Sequence, residues 1–175
     1  VSAKHADVYA LWGETQEQVR EITGRVRAEA AKYDRTVRVS LSLRPILAPT
    51  EDEAWARADT IKQQIIARRA ALGLGLRNPV NEGSKRLLAA AAKGERLDKR
   101  LWTGAALLTG ASGNSTSLVG TPRQVAESLC EYHDLGVTTF LVRGFNPLAD
   151  NIEYGRDLLP LTRQLIAERA AARAA

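Results

Sequence analysis

The chain has 175 residues, 45% of them apolar and 26% charged, which is enough for one packed domain of ordinary water-exposed composition. No apolar run approaches the ~18 residues that cross a bilayer, and Val1-Ser2-Ala3-Lys4-His5 has no apolar stretch of the signal-peptide kind. The net charge of +5 is spread as arginines interleaved with glutamates, with no basic stretch interleaved with aromatics, so nucleic acid is disfavoured as a partner. The single cysteine, Cys130, cannot form an internal disulfide, which fits a cytoplasmic location. The sequence holds no methionine, even at position 1, so we expect a piece of a longer protein.

In chain order, Val8 to Trp12 reads as a strand. Gly13-Glu14 turns, and Thr15 caps a helix through Tyr33. Val37 to Leu43 is a second strand, followed by Arg44-Pro45 and a short apolar run, Ile46 to Ala48. Thr50 with Glu53 forms a capping box, opening a helix to about Leu72. Gly73, Gly75 and Asn78-Pro79 break it, and another helical stretch is expected from about Glu82 to Arg100. Residues 109–117 are small, polar and glycine-bearing, and read as a mobile loop or lid. Thr121-Pro122 opens a helix that ends at Leu135-Gly136. Val137 to Val142 is the third strand, Arg143 to Pro147 a loop, and the last helix is expected from about Asp150, frayed near Pro160.

Short β-branched strands separated by helices imply parallel pairing with right-handed crossovers. The fold class is α/β. A doubly wound sheet and a part of a (β/α)₈ barrel both fit, and three strands cannot close a barrel. In either architecture ligands sit at the carboxyl ends of the strands. Three clusters therefore converge: Trp12 to Glu14, Ser42 to Pro45, and Arg143 to Asn146, with loop 109–117 placed to cover them. Two arginines, an indole and a phenyl ring suit a planar aromatic ligand bearing an anionic group. His5 and His133 have no metal-ligand spacing.

Each residue also has a plain structural role open to it. Trp12 fits a core position. Arg44 and Arg143 fit snorkelling or pairing with helix carboxylates. Glu14 reads best as a helix N-terminus stabiliser, and His133 as an exposed helix residue. Gly73-Leu74-Gly75 follows a helix rather than a strand, so it is no dinucleotide fingerprint.

His5 to Tyr9, then Leu11-Trp12-Gly13-Glu14 and a Gln-Val helix, resemble the sixth strand and following helix of alkanesulfonate monooxygenases, which are luciferase-like flavin monooxygenases. Thr50 to Trp55 resembles their stretch after strand seven. Leu118 to Pro122 with Gln124-Val125-Ala126 resembles the approach to strand eight. Leu135-Gly136-Val137, Gly144-Phe145 and Gly155 to Pro160 resemble strand eight and the last helix. The resemblance implies that residues 1–175 are the C-terminal part of a single (β/α)₈ barrel domain, strands six to eight with their helices. It also implies an activity, in which reduced FMN and oxygen form a flavin peroxide that oxidises a small substrate, such as an alkanesulfonate. An NAD(P)H-dependent flavin reductase is the implied partner, and a homo-oligomer the implied assembly.

On this resemblance Trp12 falls on the family's active-site tryptophan. Ser42-Leu43-Arg44 stands where the alkanesulfonate enzymes have Arg-Leu-His, and Phe145 where they have tyrosine. An arginine of their mobile loop has no counterpart in 109–117, and much of their flavin-phosphate site precedes Val1. Arg44 stays protonated, so it cannot replace a histidine as a base but can hold an anion. The expected catalytic residues are Arg44 and Trp12. The expected cofactor contacts are Trp12, Ser42, Arg143, Gly144, Phe145, Asn114 and Ser115. The competing expectations are a deazaflavin-dependent oxidoreductase of the same superfamily, and a non-catalytic βα module that assembles through its open sheet edges.

Overall fold

A computed structural model of the chain describes residues 1–75, 79–113 and 115–174. A four-residue helix, α1 (Ser2–His5), leads into β1 (Val8–Trp12), and α2 (Gln16–Ala31) crosses to β2 (Arg38–Leu43). Thr15 accepts from the Gln18 amide while the Gln18 side chain accepts from Thr15, a closed capping box. Beyond β2 come β3 (Ile46–Leu47), α3 (Glu51–Ala71), α4 (Glu82–Ala91), β4 (Arg96–Leu97), β5 (Leu101–Trp102) and α5 (Gly104–Thr109). Then follow β6 (Ser117–Gly120), α6 (Pro122–Asp134), β7 (Thr139–Val142), α7 (Pro147–Glu153), a π-helical turn (Tyr154–Leu158) and α8 (Leu159–Ala174).

Strands β1, β2 and β7 form one parallel sheet in that order, with β2 central, Trp12 beside Ser42 and Ser42 beside Leu141. Side chains alternate across a strand. Leu11, Val39, Leu41 and Leu43 point to one side and are buried against Val19, Ile22, Val26, Val125, Leu129 and Leu165 of the helices. Val8, Ala10, Ser40, Ser42 and Leu141 share the other side, where Val8 is 39% and Leu141 53% exposed. The sheet is therefore covered on one face and open on the other. Parallel sheets are normally covered on both.

Arg44-Pro45 carries the chain out of this sheet into a second one, ordered β3-β6-β5-β4. Strand β3 pairs parallel with β6, while β6-β5 and β5-β4 are antiparallel. Ile46, Trp55, Ala58, Trp102, Ala105 and Val119 form its own apolar cluster.

The structure corrects three expectations. The helix from Glu82 stops at Ala91, nine residues short of Arg100, and a hairpin replaces its second half. The hairpin's three-residue loop, Asp98 to Arg100, has Asp98 and Lys99 at positive φ, 45° and 64°. That hairpin is held from outside, because Leu101 and Trp102 are buried and the Trp102 Nε1 donates to Glu95 at 2.8 Å. Second, the segment 109–117 is not wholly a loose cover. Gly110 closes α5 in the left-handed region, Ser117 starts β6, and Ser115, Thr116 and Ser117 are buried. The Arg44 amide donates to the Thr116 carbonyl at 3.0 Å, and Ser84 Oγ donates to Ala111 O at 2.7 Å. Third, the last helical region starts at Pro147, with Asn146 as its cap, rather than at Asp150. It widens into a π turn just ahead of Pro160 and does not fray there. Such a turn is one way a helix accommodates an awkward residue.

Candidate active site

Two neighbouring hollows lie at the carboxyl ends of the parallel strands. The first, about 300 Å³, is on the open sheet face and is lined by Ala10, Leu11, Trp12, Ser40, Ser42 and Leu141. Trp12 belongs both to it and to the core. Its indole edge lies over Gly83, where a Cβ would stand 2.7 Å from Cδ1, and it packs on the cluster of Leu87, Ala106 and Ala111. Residue 83 must be glycine for the indole to sit there. Ser42, opposite Trp12, is buried.

The second hollow, about 230 Å³, is lined by Arg44, Ile65, Ala105, Thr109, Ser112, Ser115 and Phe145. Arg44 Nη1 donates to Gly144 O at 2.7 Å, and its guanidinium carbon stands 5.0 Å from the centre of the Phe145 ring, a cation–π contact. Burial, and then the neighbouring Arg143 cation, lower the pKa of Arg44 from its ordinary value. It is still a cation at any physiological pH. Arg143 itself is exposed, with its amide donating to Leu43 O at 3.2 Å. Ser115 lines this hollow, and its Oγ, closed off from solvent, has no hydrogen-bond partner among the described residues.

The loop carrying Gly144 and Phe145 is fastened from behind by groups that sequence reading did not single out. Asp150, buried, accepts from the Asn146 amide at 2.8 Å and from Arg57 Nη2 at 2.7 Å. Arg57 Nη1 also donates to Leu47 O at 2.6 Å and pairs with Glu153 at 3.0 Å. Tyr154, on the π turn, donates its hydroxyl to Pro45 O. Gly144 is required here, because a Cβ at that position would overlap Asp150. The available signal was Asn146-Pro147 followed by Asp150, the same start pattern as Thr121-Pro122.

Of the expected site residues, Arg44, Gly144, Phe145 and Ser115 come together, Trp12 and Ser42 form the adjoining hollow, and Arg143 stands beside Arg44. Asn114 lies outside the described residues. Glu14 corrects the reading of a helix N-terminus stabiliser. It is buried, 2.8 Å from both Nε and Nη2 of Arg86. Burial raises its pKa, partly offset by the Arg86 hydrogen bond and charge. Arg44 and Phe145 stack on each other, so the snorkelling role open to Arg44 gives way to a fixed one. His133 pairs loosely with Asp134 at 3.9 Å. Among the described residues no group of three His, Cys, Asp or Glu is placed to hold a metal, and no helix is long and apolar enough to cross a membrane.

A model of the luciferase-like monooxygenase family matches residues 1–139. The chain belongs to the luciferase-like monooxygenase family. Solved structures agree in fold. A riboflavin lyase (RcaE), solved with modified FMN and its substrate riboflavin, is 20% identical with a TM-score of 0.63, covering 93% of this chain and 40% of that one. The EDTA monooxygenase EmoA from Chelativorans sp. BNC1 is 19% identical with a TM-score of 0.58, covering 93% and 43%. DmoA from Hyphomicrobium sulfonivorans is 18% identical with a TM-score of 0.65, covering 93% and 38%. The chain thus spans about two-fifths of the length of these luciferase-like proteins. Its three-stranded open sheet is a part of a (β/α)₈ barrel, and the exposed side bearing Val8, Ala10 and Leu141 is the side a closed barrel turns inward.

Proposed function

We propose that this chain is the C-terminal part, strands six to eight, of a single-domain flavin-dependent monooxygenase acting on a small substrate, an alkanesulfonate or related organosulfur compound. One observation supports this reading above the rest. The ends of two adjacent parallel strands bring Arg44, Gly144 and Phe145 into direct contact, beside the hollow of Trp12 and Ser42.

The donor set fits a flavin in part. Trp12, Ser42 and Leu141 offer an apolar-and-hydroxyl surface for a flat ring, and Arg44 and Arg143 bring positive charge. Reduced FMN, when bound, supplies the electrons that activate oxygen. Trp12 forms part of the wall of the first hollow. Arg44 holds negative charge without accepting a proton. Phe145 has no hydroxyl to donate, and neither hollow is lined by a carboxylate or imidazole among the described residues. Proton movement at this site therefore falls to water or to residues outside this chain's described part. In this reading a separate NAD(P)H-dependent flavin reductase delivers FMN in its reduced form, and the complete protein is a cytoplasmic homo-oligomer.

The test is an anaerobic fluorescence titration with reduced FMN, on this chain and on a chain with the upstream strands restored, followed by oxygen uptake. Binding and uptake by the longer chain, both reduced in Trp12→Ala and Arg44→Ala, are expected. Unchanged turnover in both variants refutes the site. Turnover with a reduced deazaflavin, and none with FMN, refutes the cofactor.

A further inference from the structure

We infer that Asp98, at the tip of the β4–β5 hairpin, is a positioning residue for Trp12. From the second sheet it fixes the turn by which β1 passes into α2, and with it the place of the Trp12 indole in the wall of the first hollow. The inference rests on the monooxygenase reading only for what Trp12 is used for.

The turn from Gly13 to Gln16 is held by groups from three other elements. Asp98 Oδ2 accepts from the Gln16 amide at 2.7 Å, across 82 residues of chain. The Tyr132 hydroxyl, buried on α6, donates to Glu14 O at 2.7 Å. Arg86 pairs with the Glu14 carboxylate and stands on the same helix as Gly83, against which the indole lies. The Glu14 amide donates to Trp12 O at 2.8 Å, which carries the hold back to the tryptophan. Starting α2 does not require Asp98, because the Thr15–Gln18 capping box is already closed. The distant carboxylate adds a fixed location for that helix start, and its charge sits at the end of α2 where the helix dipole favours an anion.

The backbone of the tip is held in a shape its residues do not prefer. Asp98 and Lys99 both lie in the left-handed region, at φ 45° and 64°, and neither is glycine. The tip is secured by Asp98 on α2 and by Arg100, which pairs with Glu51 of α3 at 3.2 Å. The same Glu51 carboxylate accepts from the Gln124 side chain of α6 at 2.7 Å. The tip thus joins the first turns of the three helices that follow β1, β3 and β6.

The test uses the full chain with 5-fluorotryptophan in place of tryptophan. Each of the three indoles gives one fluorine line, and the line lost in Trp12→Phe belongs to Trp12. Asp98→Gly suits the left-handed backbone but removes the acceptor, and the Trp12 line is expected to move by more than its width. Asp98→Asn keeps an acceptor oxygen and tolerates the same backbone, so it is expected to leave the line near its wild-type position. Lys99→Gly relaxes the same tip with the carboxylate intact, and no movement is expected. Gln16→Pro removes the amide from the other side of the contact. Proline belongs at a first helical position, and Thr15 before it is already extended at ψ 156°. This variant is expected to move the line as Asp98→Gly does, and the double variant no further than the larger single. An unmoved line in Asp98→Gly or Gln16→Pro overturns the positioning role. So does a line moved as far by Asp98→Asn or Lys99→Gly as by Asp98→Gly, or a double variant in which the two shifts add.

The lines are read with no flavin present. The expected pattern in a chain that binds no reduced FMN, with or without the upstream strands, leaves the positioning standing and rejects the monooxygenase reading. FMN binding, with a Trp12 line that Asp98→Gly does not move, does the reverse.

Discussion

Replacing Asp150 by alanine removes two charge-assisted contacts at once, the one from the Asn146 amide and the one from Arg57. Breaking a buried ion pair from one side typically costs about 3–5 kcal/mol, mostly through the charge left behind. Arg57 is better placed than that. Its side chain is 37% exposed, and it keeps Glu153 and the Leu47 carbonyl. The Asn146 amide, on an exposed residue, finds water. We therefore expect a loss of about 2–3 kcal/mol, in the range of two hydrogen bonds to a charged group less their partial replacement. For a chain of this length that is roughly 4–12 °C in melting temperature. The assay is thermal unfolding by circular dichroism at low protein concentration, on Asp150→Ala, Arg57→Ala and the double variant. If the pair acts as described, the double variant loses less than the sum of the singles. Strict additivity, or a shift under 2 °C in Asp150→Ala, refutes the argument that this carboxylate fastens the Gly144–Phe145 loop.

Gly13→Ala forces a Cβ into Leu43 and Thr116 and should destabilise by about 1–3 kcal/mol, read as a lower denaturation midpoint in urea. Glu14 has a pKa above its ordinary 4.5, so its contribution to stability is present below that value and is lost as pH rises through the folded pKa. Wild type should therefore lose ground to Glu14→Gln between pH 4 and pH 7, and a constant gap across that range in matched melts contradicts the burial argument. The open sheet face should drive self-association. Sedimentation velocity is expected to show concentration-dependent association of this chain, reduced in Leu141→Arg, and a monomer at high concentration overturns the expectation.

The parallel sheet was legible because its strands are apolar, β-branched and bounded by good caps. Thr15, Thr50 and Thr121 each sit where a threonine N-cap belongs, and all three close capping boxes. The second sheet was not legible. Its strands are two to four residues long, too short for any periodicity. Its hairpin loop, Asp98-Lys99-Arg100, takes positive φ at Asp98 and Lys99 without the glycine that marks such loops. Of the site, Arg44 and Phe145 could be placed at strand ends from the sequence. Their mutual stacking could not, since it depends on Asp150 and Arg57 meeting across 93 residues. Glu14 was misread because nothing local signals that Arg86, 72 residues away, buries it.

The division of the parallel sheet into a helix-covered side and an open side separates two kinds of selection along each strand. Odd-numbered positions of β2 are committed to packing, and substitutions at Val39 or Leu41 are felt as cavities. Ser40, on the other side, carries little of that burden, and neither do Val8 and Ala10 on β1 or Leu141 on β7. A new chemistry could be explored there by point substitution with the scaffold intact. A library confined to those four positions should retain a high fraction of folded members, and one confined to their strand neighbours a low fraction.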